Sequence, residues 1–561
     1  VSTPGLFDAV FNLVRIFRYR SRGITTTSNL DIGPKISRPL ANYKIGESSL
    51  TVLNGVPSPL LALPSELVHH ILSHLDLYDL LSISLVCHAL HSHSTQDILW
   101  QAFVHAQSPS IICPASLTWR QLYSQHHPYW FLVRQKLWFA DTPHTGKLIV
   151  ARYDHRLNSI EAYALVAERR QPTFQTWEYN PDAIIHTFNP RVQLDLNSAV
   201  VRLNLSAYAA AIGNMGVKLQ KEIPMDTSSS TSDGFSRQSA NIYSRLILTR
   251  PWPPAITSEA TPVWPPLTLP SAQRTRNDPP PSGFTQPGQK PNSFSALSTS
   301  TFRIRRWMEF STRPLGVSMR IGEDITTFAT LPPSVYTPTA QKPWQGIWCG
   351  DYAGHGCEFL VVMQPDDPHP LPERAEWALR ARERDGSVSS GESWSTAPTD
   401  ADTDADSAYS DQDPELEDGE QSASDLEDSV MTLHGDLQRA SSTGAGPVDS
   451  SAAGQEDESI YRGRIEAVKL TGDPNIPRGE YTFIAPDIGP AGLLRVARED
   501  IFKGARIVKS VGHIAARGFR DDNYITSQLI LISHDRLAQY WETFGHVSFY
   551  QRVKIDAFTK V

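Results

Sequence analysis

The sequence predicts an α+β protein in which three short helices precede a mainly antiparallel, β-barrel-like domain with two long disordered insertions. Between Leu61 and Phe103, apolar residues recur at intervals of three and four, the spacing of one helix face. From Lys147 onwards, short runs rich in β-branched and aromatic residues follow one another with no helical pattern between them. Many short strands without crossover helices favour a sandwich or a closed barrel over a parallel sheet, and we expect the barrel.

Four consecutive regions are expected along the chain. Residues 1–60 are rich in Ser, Thr, Pro and Gly without a sustained period, which predicts a disordered N-terminal segment. Residues 61–105 carry the three helices, and residues 106–140 form a helical connector. Residues 141–561 form the β-barrel-like domain, which we expect to hold the functional site.

Two stretches of this domain are expected to be disordered insertions. Residues 224–300 contain Pro251-Trp-Pro-Pro254 and Pro279-Pro-Pro281, a spacing that favours extended polyproline segments over a packed core. Residues 365–459 contain about 25 acidic against about 5 basic residues, with too little apolar area to offset the entropy of ordering. Opposed charges over Glu373–Arg384 are compatible with a solvated helix within them.

Composition limits the classes of function. The 561 residues exceed the roughly 250 at which one core stops growing, so several domains are expected. Four scattered cysteines cannot form the disulfide framework of a secreted protein, which indicates a reducing compartment, cytoplasm or nucleus. No apolar run approaches the roughly 18 residues of a membrane span, and no lysine-rich tract indicates nucleic-acid binding. Residues 6–20 are apolar and arginine-bearing, as in a mitochondrial presequence or a short docking helix.

The helical region has more apolar surface than it can bury alone. Leu67, Ile71 and Leu75 share one face of the first helix, and Asp79 is a candidate N-cap of the second. Some forty residues rarely hold a sufficient core, so the surplus apolar faces predict a partner helix. An ordinary helical bundle between a tail and a β-domain is the structural alternative.

Three sequence blocks in this region resemble an F-box. They are Leu-Pro-x-Glu-Leu-x-x-x-Ile-Leu-x-x-Leu from Leu63, Asp-Leu-Leu-x-x-x-Leu-Val-Cys from Asp79, and a closing Leu-Trp at Leu99. The resemblance implies binding to the adaptor Skp1 and, through it, to a cullin-RING ubiquitin ligase in the cytoplasm or nucleus. The residues that it assigns to the helical group or to the Skp1 contact are Leu63, Pro64, Leu67, Ile71, Leu80, Leu81, Val86, Cys87 and Trp100.

Three glycine-containing clusters follow candidate strands in the β-rich region. They are Gly350–Glu358, Leu470–Gly479 and Gly512–Gly518, whose glycines permit tight turns. In their order and motifs they resemble the family of F-box-only protein thirty-one, with Thr471-Gly-Asp-Pro-Asn475 as the most specific part. Gly350-Asp351 and Ala516-Arg517 depart from the family pattern, which leaves the substrate open.

The family resemblance implies a non-catalytic substrate receptor that holds a degron peptide, with a protein C-terminus as one form of the degron. Five residues of the clusters offer hydrogen-bond donors and an aromatic wall around a peptide end: Tyr352, His355, Asn475, Arg478 and Arg517. Each has a structural alternative, such as a core position for Tyr352, a backbone-capping turn for Asn475 or a surface charge for Arg517.

Other classes of function have weaker sequence support. Cys349, His355 and Cys357 resemble part of a zinc site but lack a further ligand at the usual spacing, so we expect neither a metal nor a cofactor. The usual motifs of serine hydrolases, phosphate-binding loops and zinc proteases are absent from the sequence. The remaining alternative is a ligand-binding or hydrolytic β-barrel that carries an F-box-like helical interaction module.

Overall fold

The computed structural model describes residues 58–140, 146–169, 174–186, 189–212, 218–225, 241–251, 269–271, 290–312, 317–351, 356–384, 458–471, 475–476 and 478–561. The chain divides into two units: Val1–Pro64, of which only residues 58–64 are described, and Ser65–Val561. The predicted N-terminal disordered segment therefore lies almost wholly outside the described residues.

Short helices begin the second unit. In the described residues, those before the first strand are α1 (Ser65–Leu72), α2 (Leu77–Ser84), α3 (His88–Ser94), α4 (Asp97–His105), α5 (Trp119–His126) and α6 (Phe131–Gln135). Asp76 caps α2, because its Oδ1 accepts a 2.8 Å hydrogen bond from the backbone N–H of Asp79. Asp79, the predicted cap, therefore lies within the first turn. Thr118 and Gln121 cap α5 reciprocally.

The second predicted helix is divided into α2 and α3, so this region has four short helices instead of three. Cys87 adopts an extended conformation with φ −159° and ψ 166°. Just before it, the hydroxyl groups of Ser82 and Ser84 donate to the carbonyls of Tyr78 and Leu81. Such local bonds compete with the helical ladder and favour helix ends, which explains the break.

Eight strands form the first sheet within the described residues. They are β1 (Leu137–Ala140), β2 (Lys147–Asp154), β3 (Ser159–Glu168), β6 (Arg191–Leu203), β7 (Ile223–Met225), β8 (Asn241–Leu248), β9 (Thr301–Thr312) and β10 (Val317–Thr330). Their order is β6-β3-β2-β1-β10-β9-β8-β7, and each neighbouring pair is antiparallel. Helix α7 (Leu205–Ile212) follows β6.

The second sheet closes on itself as an eight-stranded antiparallel barrel. Its strands are β11 (Gly346–Asp351), β12 (Cys357–Met363), β13 (Ile465–Lys469), β14 (Tyr481–Ala485), β16 (Arg506–Ala516), β17 (Arg520–Ser533), β18 (Arg536–Trp541) and β19 (His546–Val553). Each pairs with the next in that order, and β11 pairs with β19 to complete the circle.

Three further strands attach to the barrel. β15 (Leu493–Val496) pairs with β16. The hairpin of β4 (Phe174–Trp177) and β5 (Asn180–His186) comes from the chain between β3 and β6, and β5 pairs in parallel with β19. The first sheet's sequence therefore supplies part of the second sheet.

Separate apolar cores fill the fold. One lies inside the barrel, where Phe483 of β14 contacts Tyr550 of β19 across the interior with ring centroids 5.2 Å apart. A second packs α5, α6 and the chain around them on one face of the first sheet. A third joins the other face of that sheet to the barrel, with Phe139 of β1 and Ile347 of β11 among its members.

The predicted fold class is confirmed: N-terminal helices precede a mostly antiparallel region that contains an eight-stranded barrel. Parts of the predicted insertions are nevertheless regular elements. Strand β8 lies within 224–300, where Leu246 and Leu248 are buried in the core despite the many prolines around them. Helix α9 (Glu373–Arg384) lies within 365–459 and packs on β16 and β17, with Ala375 fully buried. It is therefore not a solvated helix, because its apolar face is covered by the barrel.

A short helix, α8 (Pro333–Tyr336), connects the first sheet to the barrel. In the part of the chain that the structure describes, no helix is long and apolar enough to cross a lipid bilayer.

Candidate functional site

The first four helices expose a surface of large apolar side chains, which we call the apolar helical surface. It consists of Leu67, Leu81, Leu85 and Val86, whose exposed fractions are 49, 40, 86 and 47%. Tyr78 on α2 is also exposed. Exposed apolar side chains in one short segment indicate a protein-binding surface. None of the described strands covers these exposed side chains.

The remaining predicted adaptor residues of these helices have mixed roles. Leu80 and Trp100 are buried, and the Trp100 indole donates a 3.0 Å hydrogen bond to the carbonyl of Ser94. They build the helical group and cannot form its contact surface. Ile71 is half-buried, and Cys87 is exposed at the break between α2 and α3.

Leu63 and Pro64 lie in the other unit, immediately before the residue at which α1 begins. Leu63 is half-buried there and Pro64 is exposed.

The three predicted clusters of the barrel converge at one end, which we call the barrel rim. In an antiparallel barrel, alternate connections lie at the same end. The β11–β12 turn, the β13–β14 loop and the β16–β17 hairpin are such alternate connections. The clusters are more than 150 residues apart in sequence at their extremes, yet the topology places all three on this rim.

Asn475 and the β16–β17 hairpin are in direct contact. The side-chain amide of Asn475 donates a 2.9 Å hydrogen bond from Nδ2 to the carbonyl of Ala515. Arg517 lies two residues further along at the exposed hairpin tip, and its own carbonyl accepts a hydrogen bond from Arg520. The structure therefore brings these two predicted site residues to one side of the rim.

Arg478 lies on the rim but is buried. Only 3% of it is exposed, and its Cδ lies 2.6 Å from where a Cβ would stand on Gly146, which has a φ of +68°. Glycine at position 146 therefore allows the β1–β2 connection to approach the arginine closely. The buried Arg478 side chain therefore packs against the β1–β2 connection. Tyr352 and His355 lie outside the described residues.

Sequence reasoning missed a buried ion pair below the rim. The ammonium Nζ of Lys469 lies 2.9 Å from Oε2 of Glu358, and their side chains are 1 and 4% exposed. Glu358 is the second residue of β12, and Lys469 ends β13 beside the β13–β14 loop. A lone charged residue at a strand end gives no sequence signal of its partner, so spacing alone could not have identified the pair.

A second missed arrangement surrounds His513 on β16. Its Nδ1 lies 2.9 Å from the carbonyl of Tyr481, its Nε2 lies 3.4 Å from Oδ2 of Asp522, and its ring stacks on Tyr524 at a centroid distance of 4.6 Å. Asp522 also accepts a 2.9 Å hydrogen bond from Arg374 of α9. These contacts fix the hairpin between β14 and α9.

The cysteines of the predicted partial zinc site are close together. Cys349 and Cys357 are free thiols on β11 and β12, and the Cys357 thiol accepts a hydrogen bond from that of Cys349. This bond is the largest cause that raises the pKa of Cys349, and burial adds to it. The same bond lowers the pKa of Cys357, although burial opposes it. Among the described residues, which exclude His355, no group of three or more His, Cys, Asp or Glu side chains is arranged to hold a metal ion.

Comparison with known families agrees with this geometry. Residues 60–105 match the family model of an F-box-like domain, which includes α1 to α4 and the apolar helical surface. The helices and this match show that the chain contains an F-box-like domain. Residues 328–557 match the family model of a cyclin D1 binding domain, which includes the whole barrel and its rim. No curated protein matches the chain.

Proposed function

We propose that the protein is the substrate-recognition subunit of a Skp1–cullin–F-box ubiquitin ligase. The single observation that carries this proposal is the apolar helical surface within the F-box-like domain. An adaptor helix packed there would remove these side chains from water. Such burial stabilises a complex by about 25 cal/mol per Å² of apolar area. The role is binding and positioning, with ubiquitin transfer performed by other subunits.

The barrel rim is the proposed substrate site. It lies within the region that matches the cyclin D1 binding domain, and its loops come from three distant segments of the chain. Loops held on a rigid scaffold are a common location for recognition. We propose that the rim binds a short degron of a D-type cyclin or of another protein, with the segment's C-terminus as one candidate feature.

A co-purification experiment tests the adaptor role. Skp1 should co-purify with the wild-type chain and be lost with Leu67→Asp/Leu85→Asp, because two carboxylates would enter an apolar interface. Leu157→Asp is the matched control, since Leu157 is 61% exposed in the turn between β2 and β3. Equal Skp1 recovery with all three proteins, or none with the wild type, would exclude the adaptor role and favour a barrel with a different activity.

Peptide arrays test the substrate role. Segments from the C-terminal region of cyclin D1, with free, amidated or phosphorylated ends, should bind the full chain in complex with Skp1. Asn475→Ala should weaken binding, because it releases the hydrogen bond that holds the β13–β14 loop against the hairpin. Lys503→Ala is the control, as Lys503 is exposed in the loop before β16, at the other end of the barrel. Equal binding by both variants would remove the rim from the proposal.

A further inference from the structure

A solvent-open groove lies on the outside of the barrel beside the rim. It has a volume of about 680 Å³ and runs between α9 and the first residues of β17. Residues from both elements line it, namely Glu373, Arg374, Trp377, Asp521, Asp522 and Tyr524.

The groove presents a large aromatic side chain to solvent. Trp377 is 66% exposed, although neighbouring Ala375 on the same helix is fully buried against the barrel. A tryptophan of this exposure at the wall of a groove provides an open ring face for a ligand. Its sequence context gave no indication of this, because Glu373–Arg384 is otherwise a highly charged helix.

The charge around the tryptophan is negative. Glu373, Asp521 and Asp522 contribute three carboxylates, whereas Arg374 contributes the single cation of the lining. Arg374 is already paired with Asp522 at 2.9 Å. Glu373 and Asp521 therefore remain as two exposed carboxylates on opposite walls of the groove.

The backbone of the β16–β17 hairpin has an unusual conformation at Asp521, whose carboxylate lines the groove. Asp521 has a φ of +52° and follows Phe519 at +63°, both in the left-handed region that ordinary side chains rarely adopt. The contacts of Asp522 with Arg374 and His513 fix the adjacent residue. The wall is thus held by the surrounding structure, and positive φ at non-glycine residues concentrates at binding sites.

We propose that this groove binds an arginine or lysine side chain of the protein segment that the rim holds. The cation would lie over the Trp377 ring between the carboxylates of Glu373 and Asp521. An aromatic face attracts a cation through its quadrupole, and the two carboxylates add opposite charge. This inference rests on the proposed function for the source of the side chain, but its chemistry is independent of Skp1.

The direct probe is a pair of capped peptides, acetyl-Gly-Ser-Arg-Arg-Ser-Gly-amide and the same peptide with citrulline for each arginine. Citrulline keeps the length and hydrogen-bonding shape of arginine but has no charge. The full chain is labelled with 5-fluorotryptophan at its 13 tryptophans, and Trp377 is assigned by the fluorine resonance missing from Trp377→Phe. The arginine peptide should shift the Trp377 resonance, and higher salt should weaken its binding.

The variants test each wall. Trp377→Ala should weaken the binding of the arginine peptide by about threefold, which is the range of an exposed cation–π contact. Titration calorimetry measures this affinity. Glu373→Gln and Asp521→Asn should each weaken it several-fold, with asparagine chosen because it tolerates the left-handed conformation. Asp367→Asn is the matched control, since Asp367 is an exposed carboxylate before α9 and outside the groove. Circular dichroism confirms that each variant is folded.

The outcomes separate this inference from the proposed function. Equal shifts from the arginine and citrulline peptides, or groove variants that bind like Asp367→Asn, would overturn the groove inference even if Skp1 co-purifies. Charge-dependent binding at Trp377 without Skp1 co-purification would retain the cation site but overturn the ligase role.

Discussion

The indole of Trp177 donates a 2.9 Å hydrogen bond from Nε1 to Oε1 of Glu499 and joins the β4–β5 hairpin to the barrel. Arg495 donates two further bonds to the same carboxylate, at 2.7 and 2.9 Å, and stacks on Tyr179. The Arg495 bonds are the largest cause that lowers the pKa of Glu499 to about 2, although burial opposes them.

This carboxylate predicts a dependence of stability on acid. The folded pKa of about 2 lies below the ordinary value of 4.5, so the stabilisation is present above pH 4.5 and lost as pH falls through 2. Between those values, the free energy of unfolding of the wild type should fall by up to about 3 kcal/mol more than that of Glu499→Gln. Urea unfolding of both proteins across this pH range measures the difference. Glu178→Gln, an exposed change in the same hairpin, should retain the wild-type slope.

A glycine inside the barrel provides a steric test. A Cβ on Gly512 would lie 2.2 Å from Cζ3 of Trp541, whose indole is held by a 3.1 Å hydrogen bond to Ser548. Gly512→Ala should therefore lower the free energy of unfolding by about 1–3 kcal/mol. Gly346→Ala is the control, because its Cβ would make an ordinary 3.4 Å contact. Equal thermal stability of the two variants would show that the ring moves aside.

The buried pair of Lys469 and Glu358 suits a double-mutant cycle. Glu358→Gln or Lys469→Met alone removes one partner from a low-dielectric site and should cost about 3–5 kcal/mol of stability. The double variant should cost much less than the sum of the two, since no isolated charge is then buried. Additive losses in denaturant titrations would mean that the two side chains do not stabilise each other.

The helices offer a test that separates packing from recognition. Leu80 is 1% exposed, so Leu80→Ala should destabilise the F-box-like domain by about 2–5 kcal/mol. Leu85 is almost fully exposed, so Leu85→Ser should leave the unfolding of the domain nearly unchanged and weaken Skp1 binding. Hydrogen exchange of α1 to α4 and calorimetric titration with Skp1 distinguish the two effects. A destabilised Leu85→Ser domain would contradict its assignment to the contact surface.

The sequence predicted those features that depend on local periodicity. The spacing of Leu67 and Ile71 identified a helix, and alternating runs identified most barrel strands. The break at Cys87 and the cap at Asp76 were missed, because serine bonds to backbone carbonyls compete with helix propensity. The run Arg245–Thr249, inside the predicted insertion 224–300, also has the composition of a strand, and it falls largely within β8.

The candidate site was partly predictable. Turn chemistry drew attention to Asn475 and Arg517, which the structure places on the same side of the rim. Burial of Arg478 depends on Gly146, which is more than 300 residues away, and no local pattern contains that information. Trp377 and Asp521 line one groove because α9 docks on β17, a tertiary contact that composition had concealed.

The β4–β5 hairpin has a practical implication for dissecting the molecule. A fragment confined to residues 328–557 would lack Trp177 and β5. Among the described strands, β5 is the only one besides β18 and β11 that pairs with β19. The backbone edge of β19 and the apolar residues beside it would then be exposed and would favour self-association. A fragment designed for expression of the barrel should therefore start upstream of β4, so that the β4–β5 hairpin is retained.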